Sequence, residues 1–189
     1  MVASLLAITS LVAQGQPARL VENSIKLEKA TLPREAETAT PGNRVLGEDW
    51  YVIEAKFDTT EELTEEITVK FYTDMVDTLK KNETIILTSE VTFINVPKGN
   101  GHVATAYLHP AAVSRYGGSA GKDGIKKANV HVDLMENGRS NGPGLDLRKD
   151  QPNWFSSFPQ VPGVLVNLKD SPFWPMEQRK FNQIKAATR

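Results

Sequence analysis

The stretch Val91–Gly118, VTFINVPKGNGHVATAYLHPAAVSRYGG, is the feature that most constrains the fold. Its first part closes an apolar-rich run, Thr84–Val96, with the composition of a strand. The segment Val96–Gly101 reads as a turn, because proline presets φ and glycine supplies positive φ without steric cost. His102–His109 then reads as the return strand of a hairpin, ending at Pro110, which cannot donate to a ladder. The polar and aromatic residues up to Gly118 read as a corner loop.

Period-two alternation recurs elsewhere. Trp50–Phe57 and Ile67–Tyr72 alternate large apolar residues with polar ones, as a half-buried sheet requires. Leu20–Leu27 reads as a first strand, Lys126–Met135 as another, and Val164–Leu168 as a short one among prolines. Thr59–Glu66, with Glu61, Glu62, Glu65 and Glu66, reads as an acidic connection with a solvated face. Glu136-Asn137-Gly138-Arg139 carries an Asn-Gly turn signal. About seven strands separated by turn signals, with little helix, predict an all-β fold: a two-sheet antiparallel β-sandwich of immunoglobulin-like type.

The expected organisation is a signal peptide over 1–15, a first strand and linker over 16–47, a sandwich domain over 48–176, and a tail over 177–189. Strand 20–27 is counted with the sandwich. Residues Met1–Ala13 form an uncharged apolar run, too short for a membrane span and suited to a secretory signal cut after Ala13 or Gly15. No lysine or arginine precedes Arg19, so the run lacks a positive n-region. The expected location is therefore exported: periplasm, outer-membrane surface or extracellular, with no membrane span in the mature chain. With no cysteine among its 189 residues, the chain cannot be a lipoprotein, a disulfide-stapled module or a thiolate zinc site. A near balance of 22 basic and 23 acidic residues lacks the electrostatic footprint of phosphate binding, so nucleic acid is not an expected partner.

Reactive chemistry would have to draw on three histidines. On one strand, His102 and His109 would face opposite ways and lie roughly 23 Å apart. His131 and Asp133 share a predicted face, read as the polar outer side of an exposed strand. Gly117–Lys122 fails the phosphate-loop spacing, with Tyr116 where glycine is needed and Asp123 where Ser or Thr is needed. No catalytic residue, metal site or cofactor is therefore expected, and the chain reads as a non-enzyme. The surface candidates for binding are His109, with Arg115 and Tyr116 at the corner, and Trp154 and Trp174 in the proline-rich segment. Exposed aromatic faces stack on sugars or partner proteins, and the competing reading makes them a lid on the core.

Three segments carry a family resemblance: Trp50–Phe57, Val91–Gly99 with His102, and Tyr107–Pro110 leading to Arg115–Gly118. They resemble secreted immunoglobulin-like proteins of Akkermansia-type Verrucomicrobia, encoded beside type IV pilus-like assembly genes. The resemblance implies an exported, pilus-associated or fimbrial β-sandwich protein, with pilus-assembly or other surface proteins as partners, and host mucosal glycans or receptors as further ones. It carries over no active-site residues. The chain lacks a prepilin signal, which favours an accessory surface component over a shaft subunit. The alternative expectation is an extracellular module that binds mucin-type glycans.

Overall fold

The computed structural model describes residues 17–30, 50–117, 122–148, 151–177 and 183–185. The expected signal peptide, most of the linker, the glycine-rich segment 118–121 and most of the tail lie outside these residues.

Two long strands organise the fold. Strand β3 (Trp50–Asp77) and β4 (Glu83–Leu108) pair antiparallel from Asp77↔Glu83 at the hairpin to Tyr51↔Leu108 at the far end. Drawn straight, β3 would extend roughly 90 Å, and three observations show the ribbon doubled over. Register slips between Phe57 and Thr59 and between Thr59 and Leu63 mark a bend. Strands β8 (Gln160–Pro162) and β9 (Leu165–Asn167), separated only by Gly163 and Val164, pair with β4 at Ile86–Thr88 and at Ala106–Leu108. Helix α1 (Pro110–Tyr116) starts beside the Leu108 end, yet its Arg115 carbonyl accepts from the Thr78 N–H at 3.0 Å, at the hairpin end.

Doubling the ribbon makes the two layers of a sandwich. One layer joins β1 (Ala18–Leu20) and β2 (Lys26–Ala30) to the first half of β3, which pairs with the second half of β4 and then β9. The other joins the second half of β3 and the first half of β4 to β5 (Val130–Glu136), β6 (Arg139–Ser140), β7 (Leu145–Asp146), β8 and β10 (Gln183–Ile184). All ladders between these strands are antiparallel except β8 on β4. Alternation places Ile53, Ala55 and Phe57 from one half of β3, and Ile67, Val69 and Phe71 from the other, in one buried cluster. Each large side chain so buried contributes on the order of 1.5–3 kcal/mol.

The all-β, antiparallel, helix-poor reading holds, with ten strands among the described residues where about seven are expected. Several boundaries differ. The acidic stretch 59–66 lies within β3: residues 60–63 at the bend are exposed while Thr59 and Thr64 stay buried. Val96–Gly101 is the β4 side of that bend and makes no hairpin turn, since both its flanks pair with β3. There the Thr59 hydroxyl donates to the Pro97 carbonyl at 2.8 Å and accepts from Gly99 N–H at 3.0 Å. Gly101, at φ +70°, donates its N–H to Asp58 Oδ1 at 2.8 Å. The reversal comes at residues 78–82, where Lys81 and Asn82 take positive φ. The first strand is broken between β1 and β2, with Asn23 at φ 57°.

The corner after His109 is helical, because Pro110 fits the first helical turn and His109 caps it. Residues Lys122–Lys127 form a second short helix, α2, so β5 starts at Val130 and not at Lys126. The Asn-Gly turn is where the sequence places it, joining β5 to β6 with Asn137 at φ 47° and Gly138 at φ 76°.

Candidate functional site

The five candidate residues fall in three places. Arg115 and Tyr116 end α1 at the hairpin end of the ribbon. Arg115 Nη2 donates to Asp77 Oδ2 at 3.0 Å, and Asp77 Oδ1 accepts the Leu79 N–H at 3.0 Å. The Arg115 hydrogen bond holds the Asp77 carboxyl below its ordinary range, against the opposing effect of burial, with the Leu79 N–H assisting. The guanidinium also lies 4.8 Å from the centroid of the Tyr116 ring, which is itself buried in the main core. Beside them an open cleft of about 180 Å³ is lined by Asp74, Thr84, Tyr116, Gly117 and Lys127 among others. Its acidic group is engaged: Asp74 accepts from the Asn129 N–H and side-chain amide, each at 2.7 Å. The lining sets no histidine beside a hydroxyl or carboxylate.

His109 and Trp174 border the second place, an aromatic layer on the outside of the first sheet layer. His109 caps α1 by accepting the Ala111 N–H on Nδ1 at 3.0 Å, and its ring meets Trp50 edge-on with centroids 4.7 Å apart. Phe173 stacks on Tyr107 at 4.8 Å and meets Trp50 edge-on at 5.7 Å. Trp174, half-buried, packs on the same group and opens helix α3 (Trp174–Glu177). The Tyr107 hydroxyl donates to Glu177 Oε2 at 3.1 Å. Burial pushes the Tyr107 phenol well up, and the Glu177 carboxylate adds to the rise. This layer binds the C-terminal segment to the sheet through Leu168 and Phe173, both buried.

Trp154 belongs to the third place. It opens a 3-10 turn, Trp154–Ser157, and is buried with Phe155 against Ile86 and Tyr72. Its indole N–H donates to Asp146 Oδ1 at 2.7 Å. The same carboxylate oxygen faces His131 Nδ1 at 3.1 Å, and His131 Nε2 faces Asp133 Oδ1 at 3.0 Å. His131 is therefore no exposed outer-face residue: it is 4% exposed, roofed by Phe155 at a centroid distance of 4.4 Å. The sequence shows the His131–Asp133 pair but carries no local signal for Asp146 or the aromatic roof. Those arrive from a loop 15 and more residues downstream.

His102 stacks on Phe57 at 5.2 Å, with Nε2 3.2 Å from the Thr59 hydroxyl, and so belongs to the bend. Among the described residues no group of three or more His, Cys, Asp or Glu side chains is placed to hold a metal ion. No described helix is long and apolar enough to cross a membrane. The polar groups in these three places bond chiefly to one another and to the backbone, an arrangement suited to fixing elements in place.

A family model matches residues 12–188 of the chain. No curated protein sequence matches it. Among solved structures, a crystal structure of a protein from Akkermansia muciniphila is similar at a TM-score of 0.71 and 22% identity. That match covers 90% of this chain and 95% of the other. At that identity the likeness shows a common fold.

Proposed function

The chain belongs to the family whose model spans residues 12–188, and we propose that it is an exported, non-enzymatic structural or interaction protein, a pilus- or fimbria-associated surface component. The observation that carries the reading is where the chain spends its polar chemistry. His109 caps a helix, Arg115 neutralises a buried carboxylate, and Trp154 and His131 share Asp146. What the sandwich offers outward is sheet edge: among the described strands β2 pairs with β3 alone, and a strand from a partner can add to such an edge.

Export is supported by the apolar run Met1–Ala13. Association with a type IV pilus-like system is supported by the resemblance of segments 50–57, 91–99 and 107–118. Shearing cells of the native host tests the proposal: the chain should leave with the surface fibres or their assembly proteins. Recovery as a partner-free soluble protein would count against it.

A second reading, a glycan-binding module, is favoured by one observation, the half-buried Trp174 beside Trp50 and Phe173. Flat aromatic surface stacks on sugar rings. A glycan array on the intact protein and on Trp174→Ala tests it, and binding unchanged by the substitution would exclude that surface.

A further inference from the structure

We infer that His131 is a proton-operated latch: as an imidazolium it ties β7 and the 3-10 turn Trp154–Ser157 to strand β5, and its deprotonation releases both from the sheet. The geometry sets the charge state. Both ring nitrogens face carboxylate oxygens, Nε2 at 3.0 Å from Asp133 and Nδ1 at 3.1 Å from Asp146. A neutral imidazole has one donor and one acceptor nitrogen, so it would set a lone pair against one of those carboxylates. Only the cation donates to both. Asp146 Oδ1 accepts the Trp154 indole N–H as well, so one oxygen joins β5, β7 and the 3-10 turn. Phe155 covers the ring and also stacks on Tyr72 at 4.3 Å, the ladder partner of His131 whose ring lies 5.9 Å from the imidazole.

Close approach of the loop is built in by Gly144. At φ +74°, it sits where an added Cβ would lie 2.6 Å from both His131 Nε2 and Asp133 Oδ1. Charged and titratable groups from every packed element act on the ring. Asp133 comes from β5 and Asp146 from β7. Tyr72 and Lys70 come from β3, Lys70 opposite Asp133 in register and 3.8 Å from Glu90 of β4. Asp74, further along β3, is turned to Asn129. The 3-10 turn contributes an N–H and a ring but no charge.

Burial opposes the cation, but the hydrogen bond and charge of Asp133, followed by those of Asp146, outweigh it and raise His131 above its ordinary 6.5. A raised value in the folded chain means that the latch contributes fully below about pH 6.5. That contribution is lost as pH rises through the raised value.

Hydrogen exchange of residues 144–148 and 151–157 in the full chain, corrected for the intrinsic pH dependence and followed from pH 5.5 to 9, reads the latch. Exchange should accelerate as pH rises, up to tenfold for every pH unit separating the midpoint in the folded chain from that of a free histidine. Strand 67–77 should not follow. His131→Gln should remove the pH response. If that variant fails to fold, nitrogen NMR of wild-type His131 decides, with both ring nitrogens protonated at pH 6 expected. One unprotonated ring nitrogen at pH 6, or the same pH response in His131→Gln as in wild type, overturns the inference.

Discussion

Truncating Phe57 to alanine probes the doubling of the β3–β4 ribbon. Phe57 is fully buried on the first half of β3, stacks on its ladder partner His102, and lies 5.8 Å from the ring of Phe93. Phe93 pairs with Ile67, ten residues further along β3, so in a straight ribbon the two rings would be roughly 33 Å apart. They touch because the layers face each other. Phe57→Ala removes a buried aromatic from a filled core, and a loss of about 3–5 kcal/mol is expected. In a chain of this length that is about 6–20 °C in Tm. Urea unfolding followed by circular dichroism measures it. A double-mutant cycle with Phe93→Ala isolates the contact between layers, with an expected coupling of about 0.5–1.5 kcal/mol. Strict additivity, within about 0.3 kcal/mol, would refute the cross-layer contact.

His109→Ala removes the acceptor for the Ala111 N–H and should cost about 0.5–2 kcal/mol, with His109→Asn recovering most of it in thermal unfolding. Arg115→Ala should shift acid unfolding to higher pH. The depressed Asp77 carboxyl contributes stability that is present above its unfolded value and lost as pH falls through its folded one, and Arg115 is the first cause of that depression. An acid titration unchanged by Arg115→Ala would contradict the role given to the pair.

Alternation makes the strands at 50–57 and 67–72 legible from sequence, because each buries one face against the same core. It does not make the bend legible. Four exposed residues at 60–63 look like a loop when the ladder partners are unknown, and Pro97 and Gly99 punctuate a bend in the same way as a hairpin turn. The candidate residues fare similarly. Arg115 and Tyr116 are visible as an adjacent pair, but the partner that fixes Arg115, Asp77, stands 38 residues earlier. His131 looks exposed because polar neighbours alternate around it. Its cover is Phe155, on a 3-10 turn held by the Trp154 indole N–H to Asp146, and Gly144 leaves room for the close approach to the ring. Period reports which face is apolar, and long-range closure decides whether the other face stays open.

The proposal that this is a surface interaction protein engaging partners through its sheet edge is tested most directly by amine cross-linking in the native host, read by mass spectrometry. Cross-links from Lys26 and Lys29 of β2 to pilus-assembly or other surface proteins are expected, since both side chains are exposed on that edge. Cross-links confined to the chain itself, at a level of labelling that modifies both lysines, would contradict it.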